Sequence, residues 1–186
     1  LLIALCKPYR TLSQFTPDGS SNATLRDCCL PAGVHPIGRL DADTEGLLLL
    51  TDEPGWENRL LHPKQRHPKT YLAQVDGAVE ETSLRPLKTG LKLKTECFLP
   101  VEVALIPEPD HLPPRYPPVR FRKSVPTTWL EVILQEGRNR QIRRMTAAIG
   151  FPTLRLIRTA IGNYHLTDLT PGSWTELTET DRKALT

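Results

Sequence analysis

Gly38-Arg39-Leu40-Asp41-Ala42-Asp43-Thr44-Glu45-Gly46-Leu47-Leu48-Leu49-Leu50-Thr51 sets an acidic turn against an apolar run. Leu47–Thr51 is short, continuously apolar and bounded by turn signals, the pattern of a buried strand. Ahead of it, three carboxylates, an arginine and two glycines share one turn. Read as a plain loop, those acids make local hydrogen bonds and nothing more. Counted from Asp41, the acids at Asp43, Glu45 and Asp52, with Gly46, also imitate a calcium loop. Two features oppose that reading. The preceding stretch from Pro31 to Pro36 cannot be an incoming helix, and Asp52 is one methylene shorter than the usual closing Glu. A phosphatase-type aspartate pair fails too. It lacks a Thr or Val two residues after the second Asp, and a second acidic cluster to hold magnesium. No metal site is expected.

Outward from this stretch, Leu1–Cys6 reads as a buried strand and Asn22–Leu30 as a short helix capped by Asn22. Val34–Leu40 is extended, and Pro54–Leu61 suits a short helix with Pro54 near its first turn. Thr70–Val75 alternates and ends at Asp76-Gly77, a strand followed by a turn. Glu80–Leu87 fits a helix and Val101–Ile106 a strand. Thr127–Leu134 is a clear strand, Asn139–Ile149 a helix and Leu154–Ile161 a further strand. The sum is a mixed α+β fold. Between Pro107 and Pro126 there are seven prolines, together with Arg115, Arg120, Arg122 and Lys123. Proline at that density excludes helix and central strand, so an extended basic loop is expected.

The 186 residues suffice for one domain or two small subdomains. Hydrophobic residues at 39% and charged residues at 24% are those of an ordinary folded protein, which argues against disorder. A net charge of +3 says little by itself; its distribution says more. The four cysteines (Cys6, Cys28, Cys29, Cys97) lack zinc spacing, and reduced structural cysteines in an intracellular protein are expected. The opening apolar run is too short for a signal-peptide core or a membrane span. A cytoplasmic monomer with no membrane partner is the expectation.

The basic residues gather. Arg138, Arg140, Arg143, Arg144, Arg155 and Arg158 fall between Gly137 and Arg158 with no acid among them. A solvated basic face is the plain reading, and the lack of acids in the run points instead to phosphates. Arginine favours bidentate contacts. Asn139 and Arg140 lie near an expected helix N-terminus, which also favours an anion. Arg140 and Arg144, four apart, should point the same way. Arg143, beside the apolar Ile142, can reach into a cleft, with Asp41 as the available acid.

These segments together resemble the pseudouridine synthases. Gly38-Arg39-Leu40-Asp41 with Asp43-Thr44-Glu45-Gly46 and the leucines resembles the family's catalytic motif, its Asp falling on Asp41. Lys69-Thr70-Tyr71 is similar to the second motif, whose Tyr stacks on the target base. Glu136-Gly137-Arg138-Asn139-Arg140-Gln141-Ile142-Arg143-Arg144-Met145 resembles the third, whose Arg pairs with the nucleophile, here Arg143. Lys7-Pro8 also fits. The similar branch modifies single uridines in ribosomal RNA, and the resemblance covers nearly the whole chain.

The resemblance implies a pseudouridine synthase fold. Its central sheet would be mixed, mainly antiparallel and flanked by helices, with a cleft between two subdomains, roughly 1–65 and 66–186, in one catalytic domain. An S4 RNA-binding domain, carried by many relatives, is not expected within these residues. The implied activity is conversion of a specific uridine in ribosomal RNA, expected to be 23S RNA of the large subunit, to pseudouridine. The reaction breaks the N1–C1′ bond, turns the base and rejoins it through C5, so no cofactor is expected. Asp41 is the implied nucleophile, attacking C1′ or C6. Tyr71 would stack on the flipped base, and Arg143 would hold the carboxylate ionised. The plain alternative, a core aromatic on a strand, is the lesser reading of Tyr71. Arg39, Arg120, Arg122, Lys123, Arg138, Arg140, Arg144, Arg155 and Arg158 are the expected RNA contacts. The competing expectation is an inert RNA-binding or ribosome-assembly factor on the same fold, which would need none of the Asp41, Tyr71 and Arg143 set.

Overall fold

The computed structural model describes residues 1–62, 64–94, 96–120 and 124–186; Arg122 and Lys123 lie outside the described residues. In chain order its elements begin with β1 (Leu2–Lys7), β2 (His35–Pro36), β3 (Glu45–Thr51), α1 (Trp56–Leu61) and β4 (Lys69–Asp76). Then come α2 (Arg85–Thr89), β5 (Leu91–Lys92), β6 (Cys97–Phe98), β7 (Glu102–Ile106) and β8 (Thr127–Leu134). Last are α3 (Gln141–Ala148), β9 (Thr153–Ile161), β10 (Tyr164–His165), β11 (Trp174–Glu176) and α4 (Glu179–Ala184). This is an α+β fold with a mixed sheet, since β3 and β9 pair in parallel while β1 pairs antiparallel with both β3 and β11.

Two compact units divide the chain: Leu1–His67 with Ile157–Thr186, and Pro68–Leu156. The C-terminal segment does not stay with the second unit but returns to the first. The reason is strand pairing: Glu45 and Gly46 of β3 lie beside Ile157 and Arg158 of β9, and β11 adds to the free edge of β1.

In the first unit, β1 and β3 are buried at every residue. Strands covered on both faces read as continuous apolar runs rather than alternating ones, which is why the leucines of β3 show no period. Burying one such leucine contributes about 1.5–3 kcal/mol. Gly46 is required here. Its φ is +93°, and a β-carbon at this position would lie 2.3 Å from the carbonyl oxygen of Arg158. At the C-terminus, Arg182 of α4 forks onto Glu53 at 2.8 and 2.9 Å, and the Trp56 indole donates to the same carboxylate at 3.0 Å.

In the second unit, β8 pairs antiparallel with β4 on one side and β7 on the other. The inward residues of these strands, among them Ala73, Val75, Leu130 and Val132, form a core closed by Ile142 and Met145 of α3. Ile142 and Met145 are three apart, so one helix face supplies both.

Several expected elements are shorter or shifted. In place of a helix over Asn22–Leu30 there is one 3-10 turn, Leu25–Cys28. Its cap is Thr24, locked in a capping box with Asp27, and Cys29 ends it in the left-handed conformation. Glu80–Leu87 becomes a 3-10 turn, Glu81–Leu84, running into α2. The segment at 139–149 starts two residues late, because Arg140 takes a left-handed φ of +49° and acts as the N-cap of α3. Among the described residues, no helix is long and apolar enough to cross a membrane.

Candidate active site

In the first unit the chemistry gathers on the turn before β3. Asp41 is half-buried, and its carbonyl accepts the Thr44 N–H at 3.0 Å, closing the turn that carries Ala42 and Asp43. The residue before it is held from outside the loop. Ser13, only 4% exposed, donates its hydroxyl to the Leu40 carbonyl at 2.8 Å and accepts the Leu40 N–H at 3.0 Å. The residue after it meets Lys7, whose ammonium lies 3.5 Å from the Ala42 carbonyl and donates to Thr11 O at 2.6 Å and Pro8 O at 3.0 Å. The backbone on both sides of Asp41 is thus tied to the end of β1 and to the segment that follows it.

Lys7 is a fully buried lysine at the end of β1. Burial pushes its pKa down to about 8, against the pull of the carboxylates of Glu45, Asp43 and Asp41. Burial also pushes the neighbouring Cys28 thiol up. Glu45 itself is buried, so the turn presents one accessible face, where Asp41 and Asp43 lie, and one internal charge set, Lys7 and Glu45. Arg39 is exposed and donates to Gln14 Oε1 at 3.1 Å.

The calcium-loop reading of this stretch is overturned. Glu45 to Thr51 is a strand, so Asp52 lies about 23 Å along the chain from Glu45 instead of curling back beside it.

In the second unit, Tyr71 sits on β4 opposite Val132 of β8, half-buried and packed against the core. Arg143 on α3 is half-buried, and its guanidinium donates to the Thr153 carbonyl at 3.2 Å. The arginines around it separate. Arg144 pairs with Glu96 at 2.5 Å and lies over the Phe98 ring at 5.1 Å. Arg138 pairs with Glu136 at 3.0 Å and faces the same ring at 5.8 Å. Glu136 also accepts from the Gln141 amide at 2.6 Å and from the Leu99 N–H at 2.9 Å. The acids missing from the arginine run are therefore supplied from just before it and from the turn between β5 and β6. Arg140 is exposed.

Arg155 and Arg158 differ from the expected RNA contacts. They are 7% and 5% exposed. Arg155 donates to the Pro113 carbonyl at 2.9 Å and Arg158 to the Leu47 carbonyl at 2.8 Å. A buried guanidinium bonded to backbone carbonyls holds the fold together and is not presented to a phosphate. Arg120 is exposed on the proline-rich loop.

Sequence reasoning missed Ser13 entirely. Its partner is 27 residues away, and no local pattern marks a serine that brackets a distant peptide unit. Lys7 was visible only as part of Lys7-Pro8; its burial was not.

A model of the RNA pseudouridylate synthase family matches residues 2–148. The chain is 51% identical over 176 residues to the ribosomal large subunit pseudouridine synthase E of Vibrio vulnificus, covering 95% of this chain and 74% of that protein. It is 48% identical over 172 residues to the protein of the same name from Xanthomonas axonopodis, covering 92% and 90%. A crystal structure of a pseudouridylate synthase superposes on all of this chain and 73% of that one, with a TM-score of 0.80 at 27% identity. Asp41, Tyr71 and Arg143 all fall inside the matched segment, and the chain belongs to the RNA pseudouridylate synthase family.

Proposed function

We propose that this synthase converts a uridine of large-subunit ribosomal RNA to pseudouridine, with Asp41 as nucleophile. Two proteins 48% identical to it over 90% and 94% of their own length carry that substrate in their names. The observation that supports Asp41 is the fixing of its two neighbours by Ser13 and Lys7, which sets a carboxylate in one place at an accessible turn. A nucleophile gains from such placement because the entropy of orientation is spent before the substrate arrives.

The isomerisation is balanced within the nucleotide. The C1′–N1 bond breaks, the base turns, a C1′–C5 bond forms, C5 loses its proton and N1 gains one. Asp41 attacks C1′ of the ribose or C6 of the ring and is released unchanged. Tyr71 offers a flat surface to the extruded uracil, a contact typically worth about 1–3 kcal/mol. Arg143 is assigned as the partner of the nucleophile by the resemblance of its motif alone. Arg39, Arg120 and Arg140, exposed and basic, are the phosphate contacts.

Tritium release from large-subunit ribosomal RNA labelled at C5 of uridine tests this reading. Asp41→Asn is expected to release none while binding the RNA within about threefold of the parent, since phosphates dominate affinity. Full release from the variant would refute Asp41. No release from the parent protein would favour the inert binding factor.

A further inference from the structure

Apart from Arg120, the proline-rich segment before β8 takes no part in the site described above. From Pro113 to Arg120 its exposure alternates residue by residue. Pro113, Arg115, Pro117 and Val119 are half-buried, while Pro114, Tyr116, Pro118 and Arg120 are exposed. The alternation gives the segment one inner and one outer side, with a bend at Tyr116 and Pro117. The inner face is anchored. The Arg115 guanidinium donates to Pro117 O at 2.9 Å, Pro118 O at 3.2 Å and Leu154 O at 3.1 Å, and Arg155 donates to Pro113 O at 2.9 Å. Two arginines, one of them buried, hold the strip to the start of β9. Proline fixes φ along the rest.

On the outer face stands Tyr116, 90% exposed. A large aromatic so fully in water gains nothing for the fold. Its exposed neighbours are prolines and Arg120, not the broad apolar patch expected of a protein-binding surface. From His111 to Leu130 the sequence has Arg115, Arg120, Arg122 and Lys123 and no acid. A rigid, exposed aromatic in a wholly cationic segment is the arrangement that takes an unpaired base on its ring and a phosphate on the neighbouring cation.

We propose that Tyr116 is a stacking platform for an unpaired nucleobase of the RNA substrate, separate from the uridine that is modified. This rests on the RNA-modifying function proposed above and adds a recognition element to it. The arginine anchors prepay the ordering of the strip, so stacking costs little further entropy.

The test is binding of unmodified, in vitro-transcribed large-subunit ribosomal RNA by the full chain and three variants at several salt concentrations, with turnover read in parallel. Tyr116→Ala is expected to weaken binding about 5- to 150-fold, the equivalent of about 1–3 kcal/mol. The slope of log affinity against log salt should stay unchanged, because stacking releases no counterion. Tyr116→Trp should bind within about threefold of the parent. Arg120→Ala should flatten the salt slope by about one unit. A photo-reactive benzoylphenylalanine at position 116 should cross-link to a nucleotide other than the one modified. Parental binding by Tyr116→Ala overturns the proposal, as does a cross-link to the modified uridine, or to protein alone in a ribosomal subunit. If the parent isomerises uridine while Tyr116→Ala matches it throughout, the stacking platform alone falls. If the parent neither binds nor isomerises the RNA, the functional reading falls and the platform with it.

Discussion

The Ser13 hydroxyl brackets a single peptide residue, donating to the Leu40 carbonyl at 2.8 Å and accepting the Leu40 N–H at 3.0 Å. Leu40 is itself buried, so both of its polar groups depend on this one side chain away from water. The next residue is Asp41. Ser13→Ala leaves a buried donor and acceptor unsatisfied, at a cost of about 1–3 kcal/mol for each group not recovered by water. The larger effect should be on chemistry. With its anchor gone, Asp41 is less sharply placed, and small misplacement of a reacting group costs about ten- to a hundredfold in rate. Single-turnover tritium release should fall by that amount while RNA affinity holds within about twofold. Equal losses in both would mean that Ser13 acts on RNA binding and not on the nucleophile.

Lys7 makes stability depend on pH in a direction opposite to that of most lysines. Its folded pKa is about 8 against an ordinary 10.5. Between those values the unfolded chain holds a proton that the folded chain has lost, so stability rises with pH. Below about 8 both states are protonated and the slope vanishes. The gain is at most about 1.4 kcal/mol per pH unit in that window. Urea unfolding at pH 7.5 and 9.5 should show the parent gaining more stability than Lys7→Met over the same interval. Distant groups that titrate there cancel in the comparison, and Cys28, whose thiol interacts with Lys7, is taken out by carrying Cys28→Ala in both proteins. A parent that gains no more than the variant would show that Lys7 is solvated in the folded state.

Legibility followed the range of the interaction. Strand β8 was legible to the residue, because Thr127–Leu134 is rich in β-branched and aromatic residues and is bounded by Pro126 and Gln135. The apolar run of β3 was equally plain. By contrast β10, β11 and α4 were unread. Trp174–Glu176 is exposed at each residue and is a strand only because β1 lies beside it, and α4 has no buried residue, its Arg182 docking instead on a glutamate 129 positions earlier. The arginine run showed its charge but not its partners. Glu136 and Glu96 absorb two members of a cluster that looked uncompensated.

That division among arginines replaces the expectation that Arg140 and Arg144 act together. Helical spacing joined them, but Arg140 caps the helix in a left-handed conformation and is exposed, while Arg144 is held by Glu96 and the Phe98 ring. Arg144→Ala should lower unfolding free energy by about 1 kcal/mol, discounted for a half-exposed pair, and leave the salt dependence of RNA binding as it was. Arg140→Ala should instead flatten the salt slope by about one unit. Thermal melts and binding titrations on the two variants separate these outcomes. A flattened slope for Arg144→Ala would restore the original pairing of the two.

Gly46 lies one residue past Glu45 and four past Ala42, so the geometry of the Asp41 turn depends on how β3 starts. At this position the strand enters its pairing with Arg158 at a φ of +93°, where a side chain is strained. A β-carbon would also sit 2.3 Å from the Arg158 carbonyl oxygen and 2.9 Å from the Ile157 methyl group. Backbone cannot yield as a flexible side chain does. Gly46→Ala must therefore open the β3–β9 pairing or twist the turn, and a cost of several kcal/mol is expected, at the upper end of single substitutions. A small domain has little more than that to lose. The variant should be recovered unfolded, or melt well over 10 °C below the parent, and what folds should release tritium far more slowly. Gly33→Ala is the control, since Gly33 has a φ of +83° with nothing within 4 Å of its β-carbon position. It carries the conformational strain without the clash, and about 1 kcal/mol or slightly more is expected there. If the two alanine variants are equally stable, the close approach of β3 to β9 at Gly46 is not what fixes the start of the strand.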